Sequence, residues 1–91
     1  MSKIQKIMLK ASGVELTIEK NIQNMVFISV GQGLINQAVE LDEVSLIHYP
    51  ALDELSIDGY SMLVGSIKYE LSQDNLKKIS DFLGCHIAQA C

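Results

Sequence analysis

A chain of 91 residues with a formal charge of −4 and 48% hydrophobic residues suits a single domain, 1–91, and is too short for two separate cores. Eleven acidic side chains outnumber seven basic ones, all seven of them lysine. That balance argues against nucleic-acid binding, which draws on cations that neutralise phosphates, against docking on an anionic membrane surface, and against bidentate recognition by guanidinium. Mean hydropathy is +0.23, yet no apolar run approaches the ~20 residues a membrane span requires. The apolar excess then has two outlets: a sheet buried on both faces, or a patch that a partner or a second copy covers.

The N-terminal stretch MSKIQKIMLK has no continuous apolar segment and no small-residue cleavage site, so it does not read as a secretory signal. Cys85 and Cys91 both fall in the last seven residues, where a bridge would staple nothing upstream. Two free thiols in a reducing compartment is the plainer expectation, and a cytoplasmic location is the default.

In chain order, Ile7, Leu9 and Ala11 alternate with Met8 and Lys10, and Ser12-Gly13 follows as a turn. Val14, Leu16 and Ile18 then alternate with Glu15, Thr17 and Glu19, so the two runs predict a β-hairpin. Lys20 to Asn24 is a polar connection. Met25 to Val30, MVFISV, predicts a central strand buried on both faces. Gly31-Gln32-Gly33 turns the chain, and Leu34 to Leu41 returns with Ile35, Val39 and Leu41 on one face. Gln37 falls on that apolar face, an inconsistency that an edge position would relieve.

Asp42 can cap a helix that begins at Glu43, and Pro50 limits its length, so a short helix near 43–48 is favoured. Pro50 can open a further helical turn through Ala51, Leu52, Asp53 and Glu54. The composition of Val44 to Ile47 admits a strand as well. Asp58-Gly59 is a hairpin-turn pair, and Gly65-Ser66 is either a second turn or a bulge in one long strand from Tyr60 to Leu71. Ser72 caps a helix, Asp74 suits its positive end, and Leu76, Ile79, Phe82 and Leu83 form an apolar stripe at helical spacing. Gly84 suits the end of that helix. If the helix runs on, His86 and Ile87 join the stripe and Cys85 faces outward. Residues 38–47 and 67–76 echo each other weakly, each a strand, then Glu-Leu, then an acidic helix start.

Candidate chemistry is thin. GQGLIN, from Gly31 to Asn36, lacks the third glycine and the following helix of a dinucleotide loop, and reads better as a hairpin connection. Cys85, His86 and Cys91, with His48, are metal-ligand types, but the spacing lacks paired C-x2-C clusters. Cys85 and His86 are adjacent, and neighbours on a helix diverge, which disfavours a thiolate–imidazole pair. Asp42, Glu43, Asp53, Glu54 and Asp58 suit capping and solvation better than a calcium loop. No catalytic, cofactor or metal residue is therefore assigned.

The pattern as a whole predicts an α+β, two-layer sandwich. Its antiparallel β-meander has about five strands, with one C-terminal helix and a short middle helix on one face. The terminal helix is expected over Met25–Val30 and Ile67–Leu71, with Ile67, Tyr69, Leu71, Leu76, Ile79 and Leu83 forming one side of the core. The function expected is a small acidic non-enzymatic interaction module of inhibitor, immunity or adaptor type, bound to a protein partner or to itself. Tyr49, Tyr60 and Tyr69 are its candidate anchors, with half-buried sheet packing as the ordinary alternative. The competing expectation is a small-molecule-binding regulatory domain that uses the helix–sheet cleft.

Overall fold

The computed structural model describes residues 5–11, 13–31 and 35–90. Ser12, Gln32, Gly33, Leu34 and Cys91, which the turn and terminal-thiol expectations invoke, lie outside the described residues. Four strands form an antiparallel meander: β1 (Gln5–Ala11), β2 (Val14–Lys20), β3 (Met25–Val30) and β4 (Ile35–Glu40), in the order β1-β2-β3-β4. A single 3₁₀ turn, Leu41–Glu43, leads into the second sheet. That sheet contains β5 (Val44–Tyr49), β6 (Gly59–Val64), β7 (Ile67–Leu71) and the short β8 (Ile87–Gln89), in the order β7-β6-β5-β8, with β5 and β8 parallel. Helix α1 (Gln73–Leu83) lies between β7 and β8 in the chain.

The α+β class holds, but the single five-stranded meander does not: the described strands divide into two four-stranded sheets. The division follows from residues 43–48, where a helix was favoured and β5 is found. Val44, Leu46 and His48 alternate with Ser45, Ile47 and Tyr49, and the first three pair with Val64, Met62 and Tyr60 across the ladder. Period-two burial against two neighbouring strands outweighs the acidic start signal, which produces only the one 3₁₀ turn. Asp42 does not cap it; the Glu43 carboxylate accepts from the Glu40 amide at 3.2 Å.

The first hairpin follows the alternation, with Leu9 opposite Leu16 and Ile7 opposite Ile18. Strand β3 is interior to its sheet, but only one face is fully buried: Val26 and Ile28 are enclosed, while Met25, Phe27 and Ser29 are half-buried. Gly65-Ser66 is a two-residue turn, since Val64 pairs with Ile67. Asp58-Gly59 does not turn the chain tightly. Gly59 pairs with Tyr49, which leaves residues 50–58 as the connection.

Ser72 caps α1 by accepting from the Asn75 amide at 3.2 Å, and Gly84 ends it in the left-handed region at φ 71°. Leu76, Ile79 and Leu83 are buried and Phe82 half-buried. The helix packs chiefly against β1 and β6 rather than over β3 and β7, and the Asn75 side chain donates to the Lys10 carbonyl at 2.8 Å. One core joins all layers: Leu9, Leu16, Ile18, Val26 and Ile28 from the meander, Val44, Leu46, Met62 and Val64 from the second sheet, and the helix stripe. Ile67, expected in that core, is 46% exposed because β7 is an edge strand.

Candidate interaction surface

The inner face of β5–β6 is covered by the core, and residues 50–58 connect the two strands. Residues 51–58 are all exposed. Within them Leu52 is 92%, Leu55 97% and Ile57 89% exposed, so three aliphatic side chains meet solvent almost completely. The segment was expected to be a helical turn after Pro50; it is a hydrogen-bonded hook instead.

Its conformation is fixed by its own polar residues. Asp53 Oδ1 accepts from the amides of Leu55 (2.9 Å) and Ser56 (3.0 Å). Ser56 Oγ accepts from the amides of Leu52 (3.0 Å) and Asp53 (3.2 Å), and donates to the Asp53 carbonyl at 3.2 Å. Such short polar side chains satisfy local amides in place of a helix ladder. These bonds satisfy the amides of Leu52, Asp53, Leu55 and Ser56 within the turn, while the Leu52, Leu55 and Ile57 side chains meet solvent.

The base of the hook is clamped by Asp58. One carboxylate oxygen accepts from His48 Nε2 and the other from the Ala51 amide, both at 2.9 Å. The His48 contact, then the Ala51 amide, holds the Asp58 carboxyl below its ordinary range. The His48 ring in turn stacks on Tyr60, with centroids 4.8 Å apart and planes inclined by 5°.

The three tyrosines singled out from sequence do not share a surface. Tyr49 stands on the outer face of the second sheet beneath the Lys68 ammonium, 4.8 Å from its ring centroid. Tyr60 and Tyr69 stand on the inner face, where Tyr69 donates to Gln37 Oε1 at 2.5 Å. All three are half-buried, and burial pushes the Tyr60 and Tyr69 hydroxyls up. Only Tyr49 and Tyr60 adjoin the hook. Leu52, Leu55 and Ile57, which the sequence did not single out, form the larger exposed apolar group. The available signal was the run of Asp53, Ser56 and Asp58 among them, all turn formers rather than helix formers.

The C-terminal cluster gives less. Cys85 is half-buried, its carbonyl accepts from Ser80 Oγ at 2.5 Å, and burial pushes its thiol up, away from a nucleophilic thiolate. His86 is exposed. Cys85, His86, His48 and Tyr60 line an open cleft of about 650 Å³ beside α1. Among the described residues, no three His, Cys, Asp or Glu side chains converge as a metal site would require. No described helix is long and apolar enough to cross a membrane.

No protein-family model matches the chain, and no curated protein or solved structure matches it.

Proposed function

We propose that this chain is a non-enzymatic protein-interaction module that self-associates through the 50–58 hook. The observation that carries this reading is the near-complete exposure of Leu52, Leu55 and Ile57 on a turn held by its own hydrogen bonds. Scattered single apolar residues on a surface are ordinary, whereas three on one fixed projection form a contact surface. Pre-organisation lowers the ordering cost of binding, since the turn is already built.

Burying one such side chain is worth about 1.5–3 kcal/mol, so three from each of two copies give about 9–18 kcal/mol against an association cost of about 4–15 kcal/mol. A net of a few kcal/mol predicts weak self-association, micromolar at the tightest. Light scattering across the micromolar range tests it: the mass should rise above the 10.0 kDa of one chain. A mass that stays at one chain throughout removes self-association.

A second reading rests on the cleft beside α1, which stacked His48 and Tyr60 line together with Lys77 and Ser80 and whose volume suits a small molecule. It predicts a raised melting temperature with some member of a metabolite panel. A flat response across the panel removes it.

A further inference from the structure

We infer that the open edge of β8 is a docking site for an extended cationic segment of another protein, which adds to the second sheet as a further strand beside β8. Strand β8 ends its sheet and pairs only with β5. Leu46, Ile47 and His48 stand opposite Ile87, Ala88 and Gln89 in that parallel ladder, and the Ala90 amide donates to the His48 carbonyl at 2.8 Å. Backbone groups alternate in direction along a strand, so the Ala88 amide and carbonyl are turned to β5. Those of Ile87 and Gln89 are turned to the open side, where an incoming strand finds donors and acceptors in place. The site shares no residue with the 50–58 hook, so either contact can fail without the other.

The other sheet edges are guarded. Strand β1 carries Lys6 and Lys10 and packs against α1, whose Asn75 side chain donates to the Lys10 carbonyl. Strand β4 carries Glu40, and its Gln37 side chain is bonded to the second sheet; β7 carries Lys68 and Glu70. Charged side chains on an edge discourage pairing with another chain, and Ile87, Ala88 and Gln89 include none. Charge names the occupant of this edge. Cys85, His86 and Ala88 line an open groove of about 720 Å³ together with Glu40, Leu41 and Asp42, and no lysine among the described residues lines it. In a chain whose formal charge is −4, these two carboxylates attract a strand that carries lysine or arginine. They repel an acidic one, a second copy included. Main-chain bonds along the edge supply the affinity of such an addition, and the carboxylates supply the selection.

Amide hydrogen exchange with a short peptide that alternates lysine and valine tests the site. At saturating peptide the Ile87 and Gln89 amides should exchange more slowly by about tenfold or more. The Ala88 amide, already turned to β5, should be unchanged. The same peptide with glutamate in place of lysine should leave all three amides as they are. Gln89→Pro removes only an outward-turned amide and keeps the residue before it extended. It should weaken the lysine peptide by roughly two- to tenfold in fluorescence anisotropy, with an unchanged melting curve. Asp42→Lys, at an exposed position, should weaken the lysine peptide and strengthen the glutamate one. Equal protection by both peptides overturns the cationic occupant. Protection that falls on β1, β4 or β7 instead of β8, or none at millimolar peptide, overturns the site, as does wild-type binding by a Gln89→Pro chain of normal melting temperature. Should Gln89→Pro melt early, the exchange pattern of the unaltered chain decides alone.

Discussion

Gln37 shows how one residue ties the two sheets. The β3–β4 register shifts between Ile28 and Ser29, so that Ile28 faces Gln37 and Ser29 faces Ile35. Gln37 therefore shares the core face of β4, the edge strand of its sheet. There its amide donates to the Val64 carbonyl at 3.0 Å while its carbonyl oxygen accepts from Tyr69. Both partners belong to the second sheet, so the apparent mismatch in the sequence is an inter-sheet contact. Gln37→Leu should cost about 1–3 kcal/mol in urea denaturation, because a carbonyl and a hydroxyl lose their partner together. A cycle with Tyr69→Phe should show the two losses to be coupled. Additive losses would mean that the bridge contributes nothing of its own.

Asp58 acts at the same scale. Its folded carboxyl is held below the ordinary value of 3.8, so its contribution to holding the hook is fully present above that value. The contribution is lost as the pH falls below 3.8 toward the lower folded value. The Ala51 amide should keep a downfield proton shift at neutral pH and lose it in that acidic window. In Asp58→Asn the acid transition of this amide should vanish; a transition that persists would place its cause elsewhere.

At the scale of elements, what can be read from the sequence depends on whether a pattern is local. The first hairpin, the position of β3 inside its sheet and the Ser72-to-Gly84 helix are each specified by their own alternation, stripe or caps. Strand β5 is not, because its acidic approach and the proline after it suit a helix until pairing with β6 and β8 supplies the competing term. Strand β8 is three residues long and depends on Gly84 redirecting the chain so that Ile87 reaches Leu46. Nothing local announces a partner so distant in sequence. The hook was hidden for the opposite reason: its three aliphatic residues suggest burial, and only the geometry shows that they have none. Leu76→Ala and Leu83→Ala, both in the buried stripe, should each cost about 2–5 kcal/mol. Gly84→Ala should cost about 1–2 kcal/mol through backbone strain alone, because no atom lies within 4 Å of where its Cβ would stand. An unchanged melting curve for Leu83→Ala would mean that α1 does not pack on this core.

At the scale of the molecule, two sheets and one helix share a single core in a body of 51 × 25 × 22 Å. The apolar excess evident in composition is thus only partly resolved by burial. Part of it is presented on residues 50–58, the connection from β5 to β6, where Leu52, Leu55 and Ile57 meet solvent. The central claim is that contact through this hook, and not general stickiness, drives association. Sedimentation velocity of the wild type beside Leu52→Ser/Leu55→Ser/Ile57→Ser at matched micromolar concentrations measures that directly. The wild type should sediment as a concentration-dependent dimer and the triple variant as a monomer with an undiminished melting temperature. Equal sedimentation of the two proteins would contradict the account.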